Sequence, residues 1–168
     1  MRLCQPAITT TMIILMMTVG IGSSLAQTAI VTSGQCYARS YTSAHLKAHP
    51  RQKVRAIALR KLEGTQAGVI AAGKSALAIG FNLRGYSQAF QAYAECSPQG
   101  ASLGCFMEGD AGAFTLSRTA KDGLVMRVTR QLGVEGRTMI EFGGTSSDDN
   151  VFVLSKAGAS SCASLKAP

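Results

Sequence analysis

Apolar or small residues recur at every second position through the stretch Ala89–Leu116, AFQAYAECSPQGASLGCFMEGDAGAFTL. Phe90, Ala92, Ala94 and Cys96 mark the way in, and Leu103, Cys105 and Met107 the way out. A period of two belongs to a strand with one buried face. A chain that shows this period in successive short segments is restricted to an antiparallel sheet. Cys96 and Cys105 stand at matching points of two such segments, separated by a short loop, so a bridge between them fixes the register of that hairpin.

The alternation extends on both sides. It marks segments at Val54–Leu62, Ser75–Leu83, Gln88–Cys96, Leu103–Glu108, Ala113–Ser117, Leu124–Arg130, Arg137–Phe142 and Asn150–Leu154. Ile57, Leu59, Leu77, Ile79, Phe81, Leu83, Met126, Ile140, Phe142, Phe152 and Leu154 are the core candidates. Turn chemistry falls between the segments: Glu108–Gly112, Lys121-Asp122-Gly123, Gly133–Gly136 and Gly143–Asp149. About eight short strands joined by hairpin-length loops predict an all-β domain, either an antiparallel up-and-down barrel or a β-sandwich. One short N-terminal helix precedes them over Thr42–Pro50. Thr42 or Ser43 is its N-cap, His49 sits in its last turn, and Pro50 stops it.

The two ends bound the domain. Arg2 followed by the apolar run Met12–Ile21 and the small residues Ser24-Leu25-Ala26 reads as a secretory signal over residues 1–26, too short for a membrane span. Its removal leaves residues 27–168 as a single domain, with residues 27–34 a frayed start, and lowers the net charge from +8 to +7. It also removes Cys4, leaving Cys36, Cys96, Cys105 and Cys162. An even set in an exported chain argues for disulfides. Of the three connectivities the favoured one is Cys96–Cys105 across adjacent strands and Cys36–Cys162 tying the two ends of the domain. The expected location is the periplasm or the exterior.

Several chemistries fail on context. Gly68–Ser75 matches G-x-x-x-x-G-K-[ST], but a phosphate-cradling loop needs a helix starting at its lysine. Here Ser75 opens an alternating segment. No G-x-S-x-G occurs, and the paired cysteines leave no free thiol. Basic residues are scattered without interleaved aromatics, which argues against nucleic acid. His45 and His49 are one helical turn apart, a spacing that can hold zinc or copper, although no third ligand accompanies them. The segment around them is locally basic, so His45, His49, Arg51 and Arg55 are the candidate ligand-binding residues.

The opening Cys36-Tyr37-Ala38-Arg39-Ser40-Tyr41, followed by His45-Leu46-Lys47-Ala48-His49-Pro50, resembles that of a group of small exported bacterial proteins with no assigned activity. More distantly the layout resembles calycin-like barrels and periplasmic lysozyme inhibitors. The resemblance implies an exported, disulfide-tied all-β domain and carries no activity over; no cofactor is expected. The expectation is a non-enzymatic periplasmic domain that binds a small ligand or an envelope component. It uses the open barrel end near His45–Arg55, above a cavity lined by Leu77, Ile79, Phe90 and Met126. The alternatives are a protein-interaction module, such as an inhibitor of a secreted hydrolase, and a metal-binding domain using His45 and His49. After cleavage no membrane span remains.

Overall fold

The computed structural model describes residues 29–68, 70–135 and 139–165. The expected signal segment 1–26 lies outside them. Ten strands and one α-helix follow in order: β1 Cys36–Ser40, α1 Ser43–Ala48, β2 Val54–Lys61, β3 Ser75–Leu83, β4 Ala89–Gln99, β5 Ser102–Met107, β6 Ala113–Arg118, β7 Leu124–Arg130, β8 Leu132–Glu135, β9 Met139–Phe142 and β10 Val151–Ala157. Eight of them form a closed barrel in the order β1-β10-β7-β6-β5-β4-β3-β2, every pair antiparallel, so the barrel and not the sandwich is the fold. Among the described residues no helix is long and apolar enough to cross a membrane.

The eight barrel strands are not quite the eight read from the sequence. β1, five residues with a polar second half, joins the barrel. The segment ending at Phe142 leaves it and pairs with β8 in a separate two-stranded sheet. Of the Gly133–Gly136 stretch, expected to be a turn, residues 133–135 belong to β8, and Gly136 lies outside the described residues. The physical reason is position. β8 and β9 lie in the connection from β7 to β10, so they stand beyond the strand ends and fold across the barrel mouth. Leu132, Val134, Ile140 and Phe142 are buried there in the main core, and the rings of Phe81 and Phe142 meet edge-on at 5.0 Å. Gly112 allows this closure: a Cβ on it would lie 2.3 Å from the Gln131 carbonyl oxygen.

On β3 and β4 the residues that the alternation marked face inward. Leu77, Ile79, Phe81 and Leu83 on β3 and Phe90, Ala94 and Cys96 on β4 belong to one buried cluster. Cys96 and Cys105 face each other directly across β4 and β5 and are bridged inside the barrel. The opposite mouth is plugged by the segment expected to be frayed. Val31 is only 3% exposed, Ile30 packs beside it, and the Arg118 guanidinium donates to the Ala29 carbonyl and the Thr32 hydroxyl.

Cys36–Cys162 is the second bridge, as expected. Its place is the outer wall. Cys36 points away from the interior, where the faces of β2 and β3 carry Ala58, Ala76, Ala78 and Gly80. The bridge holds the turn Ala159–Cys162 and Leu165 onto this small-residue shelf. A Cβ on Gly80 would approach Leu165 Cδ2 to 2.6 Å, so the bare glycine leaves room for the Leu165 side chain in its present position. The barrel itself is closed by the pairing of β1 with both β2 and β10.

Candidate functional site

The end of the barrel that carries α1 gathers the four residues chosen from the sequence. Thr42 caps α1 by accepting from the His45 N–H, and the His49 N–H returns to the His45 carbonyl. That single turn aligns three rings. Tyr41 stacks on His45 with centroids 4.7 Å apart, and His45 stacks on His49 at 4.3 Å. The Arg39 guanidinium sits 5.4 Å from the Tyr41 centroid, extending the row with a cation. β1 pairs with β10 only through Ala38, so Arg39 and Tyr41 lie where the two strands have parted. Arg39 and His49 are exposed, and Tyr41 and His45 half-buried.

A rigid base underlies this row. His45 Nε2 is 3.0 Å from Gln52 Oε1, and Gln52, itself buried, donates to the Val54 carbonyl. Asp149 has no exposed surface and accepts from the backbone N–H groups of Lys53 at 2.6 Å and Val54 at 3.1 Å, with the Ser147 hydroxyl at 3.3 Å. Burial pushes its carboxyl above the ordinary carboxylate value, and these hydrogen bonds oppose the shift. Burial likewise raises the Tyr41 phenol, with Arg39 opposing. Arg84 staples α1 and the segment after it by donating to the carbonyls of Leu46, Pro50 and Gln52.

The two predicted arginines lie on the rim. Arg51, its side chain 64% exposed, pairs with Asp148 at 3.1 Å, an exposed contact weak enough to be exchanged for a ligand. Arg55 reaches the Tyr86 carbonyl at 3.4 Å. The structure thus brings His45 and His49 into direct contact and places Arg51 and Arg55 on the same barrel end. Sequence reasoning missed Arg39, Tyr41, Gln52 and Asp149. The regular spacing Tyr41-x3-His45-x3-His49 was the available signal for the row.

Three other expectations meet the geometry here. The imidazoles of His45 and His49 face each other, and no group of three His, Cys, Asp or Glu side chains that could hold a metal ion occurs among the described residues. The loop matching the phosphate-binding pattern leads into β3 at Ser75, not into a helix, and Lys74 Nζ is engaged by Glu95. Val69 of that loop lies outside the described residues. Leu77, Ile79, Phe90 and Met126 are all buried in one core cluster, and five depressions open on the outer wall or at the rims.

No protein family, curated protein or solved structure matches the chain.

Proposed function

We propose that this is a non-enzymatic, exported binding domain that takes an anionic component of the cell envelope, or a small anionic ligand of like chemistry, at the α1 end of the barrel. The observation that carries the reading is the stacked row Arg39–Tyr41–His45–His49, exposed at its two ends, with Arg51 and Arg55 beside it. Guanidinium groups match phosphate and carboxylate oxygens in pairs, and flat rings offer a platform to the ligand's apolar face. The burial of Leu77, Ile79, Phe90 and Met126 in the core cluster favours this surface over the barrel interior. The two disulfides and the signal-like first 26 residues support an oxidising, periplasmic or secreted location.

The test is titration of the mature domain with lipopolysaccharide and, separately, with inorganic phosphate, followed by NMR shifts at His45 and His49. Saturable shifts with lipopolysaccharide alone identify an envelope component, and shifts with both identify the phosphate group as the feature read. The double variant Arg39→Ala/His49→Ala weakens binding by about tenfold or more. Absence of saturable binding, or binding unchanged in that variant, overturns the proposal.

A further inference from the structure

A second surface lies on the far wall. β5 is four strands from β1 in either direction round the barrel, so the outer face of β4 and β5 is diametrically across from the β1 side of the basic end. There, Ala76, Glu95 and Phe106 stand side by side on β3, β4 and β5, pointing outward. Two depressions run along this wall, of about 390 and 240 Å³, and share Tyr93 and Glu108. The loop carrying Leu62 and Ile70 walls one of them, and Met139 of the β8–β9 sheet walls the other. Phe106 is 60% exposed and Met139 53%, two of the five large apolar side chains that the described residues leave in solvent.

The charge of this groove is opposite to that of the protein. The chain carries 17 lysines and arginines against 9 acids. Yet Glu95, Glu108 and Glu135 line the two depressions, and among the described residues no lysine or arginine does. Glu95 shares its charge with Lys74, whereas Glu108 and Glu135 form no ion pair with a described residue. An eight-stranded barrel is on the order of 15 Å across, more than the ~10 Å screening length at ordinary salt, so the basic end does not cancel this local field.

We propose that the groove is a docking site for a cationic amphipathic peptide segment. The segment lays its apolar side on Phe106, Tyr93 and Met139 and its lysines or arginines toward Glu108 and Glu135. Apolar grooves with a complementary charged rim hold amphipathic segments in this way: the apolar contacts supply affinity and the charges supply orientation and partner choice. An anionic partner is excluded by the same glutamates. The groove shares no residue with the row Arg39–Tyr41–His45–His49 or with Arg51 and Arg55, and its success or failure leaves the anion-binding reading untouched.

The test uses the mature domain and two designed probes of roughly fourteen residues, one built of Leu and Lys and the other of Leu and Glu in the same helical pattern. Titration calorimetry and sedimentation are run on the parent, Phe106→Ser, Glu108→Lys and His49→Ala. The expected result is saturable binding of the Lys probe alone, weakened by about tenfold in Phe106→Ser and in Glu108→Lys, unchanged in His49→Ala, and reduced by added salt. Both groove positions are exposed, and matching thermal melts confirm that these variants fold. Equal binding of the Glu probe overturns the proposal, as does no binding or indifference to both groove variants. Concentration-dependent self-association abolished by Phe106→Ser also overturns it, because the occupant is then a second copy.

Discussion

Asp149 shows how much of the barrel end rests on one side chain. It is wholly buried, and it joins the loop before β10 to the start of β2 through the Lys53 and Val54 N–H groups. Asparagine in its place turns an NH2 toward one of those donors, so Asp149→Asn destabilises the domain by about 1–3 kcal/mol in acid. The pH dependence has a definite sign. Because burial raises the folded carboxyl above its unfolded value, the contribution of Asp149 is full below the unfolded value and declines as pH rises through the folded one. Urea midpoints of parent and variant from pH 3 to pH 8 therefore converge upward from acid, and a gap that widens with pH refutes this. In the sequence, Asp148-Asp149-Asn150 reads correctly as a turn. Nothing in it distinguishes the exposed Asp148 partner of Arg51 from the buried Asp149, because the difference lies in a contact nearly a hundred residues away in sequence. The His45–His49 pair was legible because its two members are neighbours on one helical turn.

At the scale of elements, the β8–β9 sheet is the feature that alternation alone did not place. Ile140 and Phe142 alternate as any barrel strand does. A period of two says which side chains are buried but not which strand stands alongside. Gly133 pointed to a turn, yet its N–H pairs with the Ala111 carbonyl at 2.8 Å and its residue continues β8. β1 escaped notice for the converse reason, since its second half is polar where the barrel wall parts. The sheet closes a mouth of the barrel through Phe142 against Phe81, so Phe142→Ala costs about 3–5 kcal/mol by chemical denaturation. A loss below about 1 kcal/mol means that the sheet is an ornament and not part of the core.

At the scale of the molecule, the covalent and hydrogen-bonded closures are distinct. Cys36 and Cys162 are 126 residues apart in sequence and their Cα atoms 5.9 Å apart in space, while Cys96 and Cys105 close a separation of 9. Loop-closure entropy assigns about 5 kcal/mol to the first bridge and about 2.5 to the second. The double variant Cys36→Ala/Cys162→Ala lowers the urea-derived stability by roughly that larger amount, and an unchanged midpoint refutes the assignment. Both pairings were legible from the even cysteine count and the strand pattern. The shelf of Ala58, Ala78 and Gly80 under the tail was not, because small residues on an outward face resemble an ordinary solvent face until something is found lying on them. The pairing of β1 with β10 has a consequence in time. Synthesis runs from the amino end, so the first strand made finds β2 at once but waits more than a hundred residues for its other neighbour. Until Val151–Ala157 emerges, the growing sheet carries open edges at β1 and β7, each able to recruit a strand from another chain. A chain stopped short of Val151 is therefore a seed for aggregation, not merely a smaller domain.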